Sequence, residues 1–305
     1  MKIIFSITII LFSSQLLFAA ETDGYSSRYQ PIESALPDLN FEVNRRIKHA
    51  IDSLNGERGI SLECDWDNLA SLLGDQLRRP FLGKIESFIT SSKDLPKSKI
   101  DFDHSIYENV PLLHSFPIQV GLWLGIGFTV PIHHKGLLIG ADKFGHFFDE
   151  GHYYYLLVHY WDFTFSKALD LGELLEYSFE GKLLGGVYSY ADLAANYDGY
   201  RFWLDLLGSP KKKISSKYIS CAKGNWKLSK SIDLDTYVSA SWDEGMNCNE
   251  YRSSGMKEGI DKSVRILEKR DKRRYRCPVY PERVPGMISA YGEYSSHVIN
   301  PTLLP

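Results

Sequence analysis

Four side chains that can ligate metals or move protons recur at helical spacing within the run DKFGHFFDEGHY, residues 142–153. At about 100° per residue on a helix, four side chains fall within roughly 80° of one another: Asp142, His146, Glu150 and Tyr153. Two carboxylates, an imidazole and a phenol on one stripe can hold a divalent metal ion or pass protons. The alternative is the solvated side of an amphipathic helix, with an acid–histidine contact one turn apart.

A second polar stripe with the same spacing lies in SYADLAANYDGYRFW, residues 189–203, and consists of Asp192, Asn196, Tyr200 and Trp203. Both stripes are backed by aromatic residues that need burial, so we expect the polar faces to converge on a cleft. We predict that the side chains of His146 and Asp192 approach to within about 8 Å. The alternative is that Asp192 only caps its own helix, after Ser189.

Glutamates repeat along a third segment, at Glu173, Glu176 and Glu180, on one face of a helix. Like charges at this spacing repel, so they are either solvated or offset by a cation. Glu180 lies at the predicted helix end, from which a carboxylic acid can point into a cleft. With a raised pKa it would be a general acid for glycosidic cleavage.

These patterns predict three sets of functional residues. The catalytic set is Asp142, His146, Glu150, Glu180 and Asp192. The binding set is Tyr153, Asn196, Tyr200 and Trp203. The ligands of a divalent metal, if the cofactor is one, are His146, Glu150 and Asp192. The competing hypothesis is a non-catalytic protein in which the same residues form a satisfied buried hydrogen-bond network.

The start of the chain predicts export. Lys2 precedes an apolar run over residues 3–18, with Ala19 and Ala20 as a small-residue cleavage site, so residues 1–20 have the pattern of a signal peptide. A retained N-terminal anchor is the alternative. A second apolar stretch, residues 110–132, carries no Asp, Glu, Lys or Arg but is interrupted by prolines. A buried strand or core helix is favoured there over membrane insertion.

The four cysteines, in an exported chain without a CxxC pair, favour disulfides over a zinc knuckle. Spacing alone leaves three pairings open. We expect Cys221–Cys248, which closes a modest loop, and Cys64 would then pair with Cys277.

The predicted fold class is mainly α, in one helical domain with a smaller disulfide-stapled, irregular C-terminal region. The expected organisation is a flexible leader over residues 21–40, a helical core domain over 41–210 and the stapled region over 211–305. Helices at 141–160 and 189–207 carry the two polar stripes. The net charge of −3 argues against nucleic acid as a partner. Residues 257–276, with nine basic and four acidic side chains, are either a solvated helix or a contact for an anionic polymer or lipid headgroup.

The string DKFGHF resembles the D-K-x-x-H-F signature of the VanZ-like group and related small bacterial envelope proteins. The resemblance implies a cell-envelope setting, with Asp142, Lys143 and His146 as the matching positions. The chain departs from that group in lacking several clear transmembrane helices, which argues against a membrane-embedded role. Together with export, this leads us to expect a periplasmic or secreted hydrolase of peptidoglycan or lipid, or else an envelope-binding or structural protein with peripheral membrane contact.

Overall fold

The protein is mainly helical, as predicted. The computed structural model describes residues 22–56, 64–79, 83–100, 102–114, 129–178, 181–183, 186–209 and 211–305. The predicted signal peptide, residues 115–128 of the apolar stretch and Glu180 lie outside these ranges. Within the described ranges, no helix combines the length and the apolar composition that a membrane crossing requires.

Helices α1 to α3 form the N-terminal part: α1 over Leu36–Gly56, α2 over Trp66–Leu77 and α3 over Lys84–Ser91. Helix α4 covers residues 142–159 in three consecutive segments: Asp142–Gly145, a π-helical turn over His146–Glu150, and Gly151–His159. Helices α5 and α6 complete the core, over Phe165–Tyr177 and Tyr190–Leu207. The Ser189 hydroxyl accepts from the backbone N–H of Asp192 and caps the start of α6.

The C-terminal part contains short helices around one long one. Helix α7 covers Glu244–Asn247, α8 covers Ser254–Asp271, α9 covers Val284–Tyr291 and α10 covers Ser295–Val298. Short 3₁₀ turns occupy Phe102–His104, Leu234–Thr236, Ala240–Trp242, Pro281–Arg283, Gly292–Tyr294 and Pro301–Leu303. Residues 234–244 therefore form two 3₁₀ turns and the start of α7 and not one continuous helix.

In the part of the chain that the structure describes, three antiparallel two-stranded sheets connect the helices. Strand β1, Pro131–His134, pairs with β2, Leu137–Gly140, in a hairpin that leads directly into α4. Strand β3, Val187–Tyr188, pairs with β6, Glu250–Tyr251, and β4, Ile219–Ala222, pairs with β5, Asn225–Leu228. The β3–β6 pair ties the start of α6 to the C-terminal part, so the two parts share one framework.

The prediction of a flexible leader over residues 21–40 is wrong. Helix α1 already begins at Leu36, and Asp23 and Tyr25 are buried. The Asp23 carboxylate accepts backbone N–H groups from Tyr25, Ser26 and Ile106, which anchors the segment to the rest of the fold. Prolines and polar residues made this stretch resemble a loop, but the hydrogen bonds of the Asp23 carboxylate hold it against the fold.

Helices α4 and α6 cross at glycine, and this contact is the centre of the fold. A Cβ atom on Gly199 would lie 2.1 Å from the backbone oxygen of Phe147, and one on Gly151 would lie 2.5 Å from the Cα of Gly199. Only glycine permits so close an approach. The Trp203 indole donates to the backbone oxygen of Phe148 at 2.9 Å and supplies a further bond across the crossing.

The disulfide pairing expected from spacing is wrong at both bridges. Cys64 pairs with Cys221, and Cys248 pairs with Cys277. The first bridge joins the residue before the cap of α2 to strand β4, and the second joins the end of α7 to the segment after α8. Two such bridges indicate folding in an oxidising compartment.

Candidate functional site

The two polar stripes meet, as predicted. His146 Nε2 lies 3.3 Å from Asp192 Oδ2, well inside the expected 8 Å limit. His146 Nδ1 lies 3.1 Å from the Asn196 side-chain oxygen and 3.8 Å from Glu150 Oε2. The imidazole is therefore held between α4 and α6, with a different partner at each ring nitrogen.

The π-helical turn over His146–Glu150 lies at this junction. Such turns are rare and occur often at functional sites, because the wider turn re-aims the side chains that follow it. Glu150 still faces His146, but the ring of Tyr153 packs against Trp161, with centroids 5.9 Å apart. The straight-helix assumption of about 100° per residue therefore fails over this turn.

A buried lysine, which the residue pattern did not assign a role, lies at the centre of the site. Lys143 Nζ lies 2.6 Å from both Asp142 Oδ2 and Glu244 Oε1, and it also contacts Asp192. Its side chain is 1% exposed. Burial by itself would lower the pKa of Lys143, but the surrounding carboxylates raise that pKa well above its usual range. The ammonium group is therefore charged and enclosed by acids.

Two of these carboxylates are fixed by neutral donors on their far sides. Asp142 Oδ1 accepts from the hydroxyls of Thr22 and Thr129 at 2.8 and 3.0 Å. Glu244 Oε2 accepts from Asn249 Nδ2 at 2.9 Å. Burial raises the pKa of Glu244 to about 7 in spite of the opposing effect of Lys143. The carboxyl groups of the network therefore have hydrogen-bond or ion-pair partners, and not all of them carry a full negative charge.

His146 and Asp192 form a strongly polarised pair. Burial would lower the pKa of His146, but the carboxylate of Asp192 overcomes it and raises that pKa well above its usual range. Burial acts in the opposite direction on Asp192, where His146 and Lys143 hold the pKa below its ordinary value. The imidazole is accordingly a cation at neutral pH, with N–H groups directed at Asp192 and Asn196.

The Asn196 amide fits either protonation state of His146. In one orientation its oxygen accepts from a protonated Nδ1 at 3.1 Å. Turned end for end, its nitrogen lies within reach of Nδ1 and of the backbone oxygens of His146 and Asp192, at 3.1 to 3.3 Å. Loss of the Nδ1 proton would therefore favour rotation of the amide.

Two further acids border the imidazole and were missed from the sequence. Glu86, on α3, has a carboxylate oxygen so close to Gly145 that a Cβ there would lie 2.6 Å away. Burial raises the pKa of Glu86 to about 7, and Asp142 adds to the shift. Burial likewise raises the pKa of Asp149 to about 7, against the effect of Arg78. Nothing in the local pattern around Glu86 indicates this role, since α3 reaches the site only through tertiary packing.

We predict that Glu86→Gln raises the free energy of unfolding by about 1–3 kcal/mol at pH 8 and has little effect at pH 4. The folded-state pKa of about 7 lies above the ordinary value of 4.5, so ionisation disfavours the fold as the pH rises through that window. Urea titrations at several pH values measure the effect. Glu33→Gln, at an exposed position, is the control. A gain for Glu86→Gln that does not change with pH would contradict the assignment.

The remaining predicted residues have other surroundings. Tyr200 stacks on Phe165 with ring centroids 4.1 Å apart, and Trp203 is fully buried in the aromatic core. Both therefore support the fold. Glu176 is buried and accepts from the backbone N–H of Ser189 at 2.9 Å, while Glu180 lies outside the described residues. Of the second stripe, Asp192 and Asn196 contact His146, whereas Tyr200 and Trp203 pack in the aromatic core.

Two groups of potential metal ligands occur among the described residues: Asp142 with Asp192 and Glu244, and Asp170 with Glu173 and His297. The Lys143 ammonium already neutralises the first group. The predicted set of His146, Glu150 and Asp192 is not arranged for one ion, because the two carboxylates face different ring nitrogens. This cluster is therefore better suited to proton transfer than to metal binding.

Comparison of the chain with protein-family models, with curated proteins and with solved structures finds no match. The resemblance of DKFGHF to the envelope-protein signature therefore stays a prediction.

Proposed function

We propose that the protein is an exported hydrolase of a cell-envelope component, peptidoglycan or lipid, that works by general acid–base catalysis. One observation carries the proposal. The imidazole of His146 keeps 17% of its side chain exposed while Asp192 and Glu150 flank its two ring nitrogens. A histidine orientated by a carboxylate and still open to solvent is the arrangement that proton transfer needs.

In this proposal, His146 is the acid and Glu150 the base. His146, kept protonated by Asp192, gives a proton to the leaving-group oxygen. Glu150, with 29% of its side chain exposed, takes a proton from the attacking water molecule. Glu150 then passes that proton to the imidazole, whose Nδ1 lies 3.8 Å from Glu150 Oε2, and both groups are restored. The deeper cluster around Lys143 holds Asp142 and Asp192 in place.

The envelope setting rests on the predicted signal peptide, the DKFGHF resemblance and the two disulfides. These features support an exported protein but not one substrate over another. Sacculi and phospholipids are therefore both candidate substrates.

A second candidate is a non-catalytic envelope protein with a structural polar network. The observation in its favour is Lys143, which is sealed from solvent and neutralised by carboxylates on three sides. Such a network specifies one packing arrangement and needs no substrate. The two candidates differ in what happens when His146 alone is changed.

We predict that His146→Gln lowers hydrolysis of purified sacculi or phospholipid vesicles by at least about 100-fold, the usual contribution of a general acid. The melting temperature should stay nearly unchanged, since glutamine keeps a donor for Asp192. His49→Gln, at an exposed position on α1, is the matched control and should retain activity. A wild-type protein that turns over neither substrate, with a loss of about 1–3 kcal/mol in His146→Gln, would favour the structural candidate.

A further inference from the structure

A cavity of about 670 Å³ lies apart from the acid–histidine cluster and shares no residue with it. Its walls come from the N-terminal segment at residues 26–31, the segment at 99–104, and residues 270–275 at and just after the end of α8. A volume of this size holds a small organic ligand. The basic run at residues 257–276 ends at this cavity, so its last residues line the cavity and do not face bulk solvent alone.

The charges that line the cavity are mostly positive. Lys99, Arg270 and Arg273 face a single acid, Asp271. Asp271 forms a two-point ion pair with Arg270, at 2.6 and 2.8 Å. Within the described ranges, neither Lys99 nor Arg273 has a carboxylate within ion-pair distance. Two cations thus remain for an anionic ligand, in a chain whose net charge is −3.

An aromatic wall completes the cavity. The rings of Tyr29 and Tyr275 meet edge to face with centroids 5.1 Å apart. The Arg273 guanidinium lies over the Tyr29 ring, 4.6 Å from the ring centroid. This contact holds the guanidinium at the cavity wall. A planar guanidinium and an ammonium recognise phosphate oxygens, and a tyrosine face suits the body of a small polar ligand.

We propose that this cavity binds a phosphate-bearing ligand of the size of a glycerol or sugar phosphate. Arg273 and Lys99 contact the phosphate oxygens, and the tyrosine wall receives the rest of the molecule. The ligand is either free in solution or the headgroup of a phospholipid. The proposal is separate from the hydrolase function and does not depend on it.

Calorimetric titration of the disulfide-intact full-length protein with sn-glycerol 3-phosphate tests the first source. Co-sedimentation with phosphatidylglycerol vesicles, compared with phosphatidylcholine vesicles, tests the second. Arg273→Gln should weaken binding to whichever probe binds by at least tenfold, and Lys99→Gln should act in the same direction.

Arg265→Gln is the matched control, because it removes the same charge from an exposed position on α8 that does not line the cavity. It should leave binding unchanged, and unchanged melting temperatures would show that each variant is folded. Binding of glycerol phosphate identifies a free ligand, and binding of phosphatidylglycerol vesicles alone identifies a headgroup. The proposal is overturned if neither probe binds, or if Arg265→Gln weakens binding as much as Arg273→Gln.

Discussion

Replacing Lys143 with methionine should lower the free energy of unfolding by about 3–5 kcal/mol at pH 7, the usual effect of removing one partner from a buried ion network. Methionine keeps most of the side-chain volume, so the loss would come from charge and not from a cavity. Without the ammonium group, the carboxylates of Asp142, Asp192 and Glu244 repel one another in a site with almost no solvent access.

The loss should shrink as the pH falls from 7 to 5. Burial already raises the pKa of Glu244 to about 7 against the effect of Lys143, so without the ammonium group Glu244 protonates in the fold before it does in the unfolded chain, and the repulsion weakens. Urea denaturation across this range measures the effect. Lys135→Met is the control, because Lys135 pairs with Asp235 but is 65% exposed, where an ion pair contributes at most about 1 kcal/mol. Equal losses in the two variants would show that Lys143 is not the centre of the network.

Removing the Cys64–Cys221 bridge should lower the free energy of unfolding by about 5 kcal/mol in the chain-entropy model. The bridge closes a loop with a sequence separation of 157 residues, whereas Cys248–Cys277 spans 29. The shorter bridge should contribute about 3.5 kcal/mol by the same relation. The double variants Cys64→Ser/Cys221→Ser and Cys248→Ser/Cys277→Ser, compared by urea denaturation, test this order.

The two double variants control for each other, since each removes two sulfur atoms and adds two hydroxyls. Peptide mapping of the unreduced wild-type protein checks the pairing itself. Recovery of a peptide that joins Cys221 to Cys248 would contradict the structure. A larger loss for the shorter bridge would show that local contacts around α7, and not loop closure, set the stability of the region.

Local periodicity in the sequence determined the helical fold and the first half of the site. The polar stripes of α4 and α6 follow from about 3.6 residues per turn. Because the aromatic residues behind each stripe must be buried, the two polar faces are expected to converge. The contact of His146 with Asp192 and Asn196 could therefore be predicted. The capping pattern at Ser189 likewise located the start of α6.

Only the tertiary structure decided which distant residues complete the site and which cysteines pair. Glu86 and Glu244 come from α3 and α7, and Cys64 reaches Cys221 across 157 positions. Such contacts depend on how the helices pack in the tertiary structure, and the spacing of residues within one segment carries no information about that packing. Lys143 is part of the DKFGHF string, but its role as the central cation depends on three carboxylates that different elements bring around it. The π-helical turn arose in the same way, because its wider geometry is set at the close crossing of α4 and α6 and not by residue spacing.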